Sequence, residues 1–436
     1  MVVTKTLLLK GSIHSKCVLM AFISCITSIP CWSQVSNNHE AALSAYVHQI
    51  ECSSEPDVQY NLGPVANLVK DKDIIAMGEA SHGAHEFFEI KAQMFKQLVL
   101  QHGFRMFAIE STLGNTYSIN RFLAYGLGDA KTALRELDNG YWNSQEILDL
   151  IIWMRAYNLQ HEADEHLFFY GFDVNSRSGA AYAILKYIQL AMPSYFKLNE
   201  QKLRMSLFSN SSDGRAGREV LKKYLEAEEA SCLKNTAPWE YALAMRSFVN
   251  LEQIDSMPAL SINARDKYMA DNVMWIRESV LPKMMLFAHN FHVANHKNKR
   301  YKTMGYHLEK RLTSQYAPIG FDFYSGEVIV KRGGHVLAVA LYGNKNVLNT
   351  VKPPKRNSFS DQLARLPYPI FCLDIQRAIV EETSLRDWFH EPRLVHDLGA
   401  WCGRGHNQAP YNLSEAYDAL IYVHQVSPSK HLVYPE

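Results

Sequence analysis

The chain has almost no net charge with which to meet a charged partner. Lys+Arg 45 against Asp+Glu 44 leaves a formal +1 over 436 residues. A nucleic-acid surface needs a basic stripe, and none is present, so no nucleic acid is expected as a partner. A long apolar run is missing too. The best stretch, Cys17 to Ile29, is broken by Pro30 and is too short and too polar for a span of about 20 apolar residues, so stable membrane insertion is not expected. Cysteine is sparse. Of 7 in all, Cys17, Cys25 and Cys31 lie near the start, and Cys52, Cys232, Cys372 and Cys402 are far apart. That spacing gives neither a zinc pattern nor a compact disulfide framework; buried free thiols are expected, with one bridge if the chain is exported. No internal repeat or low-complexity tract interrupts the chain.

What is present is an ordinary globular composition, 47% hydrophobic and 20% charged, over a length that supports a large core. The N-terminus has a signal-peptide layout. Lys5, Lys10 and Lys16 precede the apolar run, Pro30 breaks it, and Cys31-Trp32-Ser33 precedes a cut ahead of Gln34. The expected division is a leader over 1–33 and a catalytic domain over 34–436, with a periplasmic or secreted product. A start at Met20, giving a cytoplasmic protein, is the alternative, as is a lipoprotein signal at Cys25.

The richest stretch runs from Asp73 to Glu110. Asp73 to Met77 is a short apolar run ended by Gly78, the pattern of a buried strand. Glu79-Ala80-Ser81-His82-Gly83 follows as a loop. From Ala84 the period changes: Phe87, Ile90, Met94, Phe95, Leu98 and Val99 share one helix face, and His102-Gly103 stops that helix. Phe104 to Ile109 is a second strand, ending in Glu110. Strand, helix and strand in this order predict a parallel pair of neighbours, with Glu79, His82 and Glu110 at the carboxyl edge where ligand sites of open α/β sheets lie.

Three more segments read as core strands, Leu167–Phe172, Met284–Ala288 and Ala317–Phe323, followed by Asp173, His289 and Tyr324. With Glu79 and Glu110, five polar residues then mark one catalytic rim. The fold class expected is α/β, a parallel central sheet flanked by helices, with a helix-rich insertion over about 176–280 that stands over the rim as a lid. Asn143-Ser144-Gln145-Glu146 reads as a capping box before a helix over 147–157.

The chemistry has three readings. A serine nucleophile at an elbow needs Gly-x-Ser-x-Gly, and Gly78-Glu79-Ala80-Ser81-His82-Gly83 is one residue out of register. Metal hydrolysis has donors in His82, His85, Glu86, Glu79 and Glu110, but His82-x-x-His85-Glu86 is neither helical zinc signature. Direct attack by water needs a base and donors for the oxyanion. His82 is assigned as the base, with Glu79 and Glu110 orienting it. His289 and His292 arrive together on another strand end as donors to the oxyanion or leaving alkoxide, and Arg265 is the cationic candidate for oxyanion or substrate. Metal and cofactor are both expected to be absent. Asp173 bonds loop amides or touches substrate. Lys91 and Glu89 read as surface or supporting residues, and Tyr141, Trp142 and Trp153 as core rather than pocket.

GEASHGAHEFFEIKAQMFKQLVLQHGFRMFAIE resembles the erythromycin esterase family, in which such a loop opens the catalytic domain. Further blocks agree in order: Gly126-Leu127-Gly128-Asp129, Trp142 with Ile152 to Asn158, Gly171-Phe172-Asp173, Arg265 to Asn272, Ala288-His289-Asn290-Phe291-His292, and Tyr417 to Tyr422. The resemblance covers most of the chain from about Ala42. It implies a metal-independent water attack in which Glu79, His82, Glu110 and His289, with Arg265 and His292, form the site. The activity it implies is opening of a macrolide lactone by ester hydrolysis, conferring antibiotic resistance, with a small-molecule macrolide as partner. Rival expectations are a same-family esterase with another ester substrate, and a ligand binder, since the broad fold also resembles haem-binding lipoproteins.

Overall fold

The computed structural model describes residues 39–53, 60–137, 140–258, 261–332, 346–402 and 407–432, so the leader expected over 1–33 lies outside the described residues. In chain order the strands are β1 (Val47–Gln49), β2 (Ile74–Met77), β3 (Met106–Thr112), β4 (Phe168–Asp173), β5 (Met284–Phe287), β6 (Tyr316–Arg332), β7 (Asn346–Val351), β8 (Ile370–Asp374), β9 (Arg393–His396), β10 (Trp401–Cys402), β11 (Gln408–Tyr411) and β12 (Ala419–Val426). The main sheet runs β1-β8-β12-β6-β2-β5-β3-β4, with β7 and β10 paired to β6 and β9 pairing β11 apart from it. From β12 to β4 the strands are all parallel. β8 joins β12 antiparallel, and β1 joins β8 likewise.

The five segments that read as core strands are β2 to β6. Their apolar runs are continuous because both faces of the sheet are covered. Alternation along each strand sends Ile75, Met77, Phe107, Ile109, Met285 and Phe287 into one core, and Ile74, Ala76, Met106, Ala108, Met284 and Leu286 into the other. Helices His85–His102 and Gln145–Asn158 close the first core, and Ile262–Ser279 and Met304–Leu312 the second. The first of these helices ends as its sequence demands, on Gly103 at φ 72. Between β4 and β5 the helices Arg177–Ala191, Pro193–Phe208, Ser212–Ala227 and Pro238–Ser256 share a third core. No helix among the described residues is long and apolar enough to cross a membrane.

One expectation is corrected. β2 and β3 are parallel but not neighbours, because β5 lies between them. The chain leaves β2 toward the first core and β5, its neighbour, toward the second, so the carboxyl ends of these strands open into a crevice. β3 also shifts register against β4 between Ile109 and Thr112. That irregularity falls at Glu110, the kind of break that re-aims a side chain.

The loop after β2 is seated on the outer half of β6. The Gly83 carbonyl accepts from the amides of Ile329 and Ser429, each at 3.0 Å. A Cβ at Gly83 would stand 1.9 Å from the Ile329 carbonyl oxygen, backbone that has nowhere to go. Gly83→Ala is therefore expected to cost at least the roughly 1–3 kcal/mol of overpacking. A urea midpoint equal to that of the parent would contradict this seating.

Candidate active site

Glu79 and His82 lie just past β2, Glu110 in the irregular end of β3, Asp173 at the end of β4, and His289 just past β5. Arg265 comes from the first turn of helix Ile262–Ser279. His292 comes from the short helix Asn290–Val293, which His289 caps by accepting the Phe291 amide on Nδ1 at 3.2 Å. These residues meet at one cleft of about 510 Å³, whose walls include His82, Glu110, Arg265, His289, His292, Tyr141 and Trp142. Other surface clefts of about 520 and 720 Å³ carry no comparable set of histidines, so chemistry rather than size selects this one.

On one side of the cleft Glu79 is the centre. Its Oε1 meets His82 Nδ1 in a short contact, and its Oε2 accepts from Lys91 Nζ at 2.9 Å. Glu79 and Lys91 are both wholly buried. Lys91 takes the supporting reading in its strongest form: its ammonium lies 3.5 Å from the Phe287 ring centroid, and burial lowers its pKa to about 8 against the pull of Glu79. His82 stacks on Tyr141 at 5.2 Å between centroids, with Trp142 edge-on at 5.4 Å. Its Nδ1 being turned to a carboxylate, the favoured neutral tautomer carries the proton there. Nε2 is left free of any bond to a described residue.

On the other side Arg265 is the hub. It donates to Asp173 through Nε at 2.9 Å and Nη2 at 2.7 Å, and to Glu110 Oε1 at 2.7 Å. Burial works against its charge, yet Asp173 and Glu110 raise its pKa above the ordinary arginine value. Burial likewise works against the Glu110 carboxylate. His292, Arg265, His82 and the His289 amide, which donates at 2.9 Å, outweigh that and hold its pKa well below the usual carboxylate range. His292 places Nδ1 2.9 Å from Asp266 and Nε2 3.2 Å from Arg265 Nη1. Arginine only donates, so in the neutral ring Nε2 accepts and the proton sits on Nδ1; when the ring is charged, Nε2 faces Glu110 Oε1 at 3.4 Å. Burial lowers the His292 pKa, and Asp266 and Glu110 reverse this to a net rise.

All six residues singled out from sequence, Glu79, His82, Glu110, Arg265, His289 and His292, are brought together. Asp173 accepts the Val174 amide at 2.7 Å and holds Arg265 rather than lining the cleft. Tyr141 and Trp142 pack in the first core, as expected, and also border the cleft; Trp153 packs against the same core. His85 and Glu86 point away, to Glu146 and Ser427. Ser144 does cap helix Gln145–Asn158, but Glu146 is drawn to His85 and the Lys430 amide instead of closing a capping box. Ser81 is wholly buried and its hydroxyl has no partner among the described residues, so none of them is placed as a base to activate it. Among the described residues no group of three or more His, Cys, Asp or Glu side chains is arranged to hold a metal ion. Cys232 and Cys372 are buried free thiols as expected, whereas Cys52 is free and exposed. Asp397, 3.0 Å from His289 Nε2, was not anticipated: it is a lone acid after a short strand, with no periodicity or motif around it.

The family model described as Erythromycin esterase matches residues 99–426. The "Putative hydrolase YbfO" of Bacillus subtilis (strain 168) is 24% identical over 83% of this chain and 85% of its own length. "Erythromycin esterase type II" of Escherichia coli is 24% identical over 63% of this chain and 74% of its own. A solved structure named a succinoglycan biosynthesis protein has the same fold, with a TM-score of 0.74 at 23% identity, covering 92% of this chain and 99% of that one. With three quarters of its length matched by one family model, the chain belongs to the erythromycin esterase family.

Proposed function

We propose that the protein is a carboxylic ester hydrolase that opens the lactone ring of a macrolide by adding water. The observation that carries this reading is His82, whose Nδ1 faces the Glu79 carboxylate while Nε2 is unpartnered at the cleft. An imidazole held this way accepts a proton at Nε2, and general-base help of this kind supplies roughly 10²–10⁴-fold. Water gives its proton to His82 Nε2 as its oxygen adds to the ester carbonyl carbon. The tetrahedral oxyanion is met by donors at the opposite wall, Arg265 and the Nε2–H of His289. On collapse the carbon–alkoxide bond breaks and His82 returns its proton to the alkoxide, leaving an acid and an alcohol within the opened ring. Glu110 and Asp173 keep Arg265 fixed, so its charge needs no reorganisation during the reaction.

The resistance role and the choice of a macrolide over other esters rest on family membership and on a relative bearing the erythromycin esterase name. The test is mass spectrometry of erythromycin incubated with the purified protein, with and without EDTA. A gain of one water, insensitive to EDTA, is the expected result. No change with erythromycin but turnover of other lactones or acyl esters would move the substrate and keep the hydrolase; no turnover of any would overturn both.

A further inference from the structure

Asp397 belongs to none of the motif blocks and reaches the cleft from near the end of the chain. The segment that carries it is fastened to the loop of His82. The amides of Leu398 and Gly399 donate to the Ala80 carbonyl at 2.7 and 3.2 Å, and the His82 amide donates to the Gly399 carbonyl at 3.3 Å. Gly399 has φ of +57, and a Cβ there would stand 3.4 Å from His289 Nε2, so the backbone passes close beside that ring. Asp397 Oδ1 then lies 3.0 Å from His289 Nε2. Both atoms are buried, and neither completes a hydrogen bond with any other described residue, their mutual contact being short but out of line. Catalytic hydrogen bonds often have this form before substrate is bound. Behind Asp397, the Tyr411 hydroxyl donates to Oδ2 at 3.2 Å. Beside it, the amide of His396 donates to buried Asp322 at 3.2 Å, anchoring the segment on β6.

We propose that Asp397 is a positioning residue for His289, selecting its Nε2–H tautomer and fixing the ring. This rests on the hydrolase reading above. The logic is steric and electrostatic. His289 Nδ1 is occupied as the acceptor of the Phe291 amide, so in the neutral ring the proton is on Nε2, and a carboxylate at 3.0 Å holds it there. His289 is therefore neutral, its one N–H resting against Asp397 without a completed hydrogen bond until the oxyanion forms and takes it over, while of the two rings His82 keeps the free basic nitrogen. The division of labour between two histidines whose rings stand 5.4 Å apart depends on two different carboxylates: Glu79 at Nδ1 of one, Asp397 at Nε2 of the other. The segment after β9 thus contributes to the site directly.

Asp397→Asn tests this, because an amide at that position can also donate and so admits the other tautomer. Exchanging the carboxylate partner of a catalytic histidine for its amide is costly even when geometry survives. We expect kcat on the turned-over ester to fall by about 10- to 100-fold with KM within about threefold, and no further loss when the change is made in a His289→Ala background, since residues acting through one another are not additive. Tyr411→Phe should give a smaller loss of the same kind. Multiplying losses in the double variant, or a parental kcat in Asp397→Asn, overturns the proposal. A second readout does not depend on turnover: the imidazole N–H proton resonance that disappears in His289→Gln should shift or vanish in Asp397→Asn. If the wild-type protein hydrolyses nothing, the hydrolase reading fails while this resonance still decides the pairing, and an unmoved signal sinks it.

Discussion

His82→Ala is expected to remove turnover almost completely while leaving the fold in place. The loss should reach at least the roughly 10²–10⁴-fold that general-base help supplies, because no other described group presents a free basic nitrogen to the cleft: His289 Nδ1 and His292 Nε2 are both occupied as acceptors. The fold should survive because Glu79, the partner left behind, keeps its bond to Lys91 at 2.9 Å. No uncompensated buried charge is created, and the ring removed stood against cleft-lining Tyr141 and Trp142 rather than in the packed centre. His82→Gln is the companion variant, retaining a polar group beside Glu79 but no base. The measurement is kcat for both, alongside their circular dichroism melts. Near-parental rates in either folded variant would remove His82 from the mechanism.

Most of the site was legible because a parallel sheet announces itself. β2, β3, β4, β5 and β6 are buried on both faces, so each appears as an apolar run whose first polar residue marks the carboxyl edge. Glu79, Glu110, Asp173 and His289 all followed from that one regularity. The order of the strands did not follow, since β5 enters between β2 and β3 from nearly 180 residues further along, and local pattern carries no record of that pairing. Lys91 did leave a signal. It stands at the helical spacing of Phe87, Met94 and Leu98, so it lies on the buried face, where a lysine has to find an acid. Tyr141 and Trp142 are core residues as their type suggests, both nearly unexposed; that they also border the cleft left no separate mark, because a cleft wall and a core demand the same residue types. Asp397 is invisible to any sequence window, because its meaning comes from the hydrogen bonds that fasten residues 398 and 399 to Ala80.

Lys91 carries the other large expected effect, and here stability and catalysis separate. Lys91→Met preserves the volume against Phe287 but leaves Glu79 as a wholly buried acid without its cation. Removing one partner of such a pair typically costs about 3–5 kcal/mol, mostly from the charge left unpaired. The same change deprives His82 of a fixed carboxylate, so activity should fall with it. Adding Glu79→Gln should restore much of the lost urea midpoint, since the stranded charge is then gone, while activity stays lost. A double variant no more stable than Lys91→Met would show that packing, not charge, set the cost. The wild-type pH profile gives an independent check. Burial lowers the Lys91 pKa to about 8, below an unfolded value of about 10.4. Between those values the unfolded chain holds the extra proton, so this group adds stability as pH rises, while Glu79 loses its cation. Activity is therefore expected to fall along an alkaline limb centred near pH 8, with no accompanying fall in the unfolding midpoint attributable to Lys91. A limb that tracks unfolding at every pH would place its origin elsewhere.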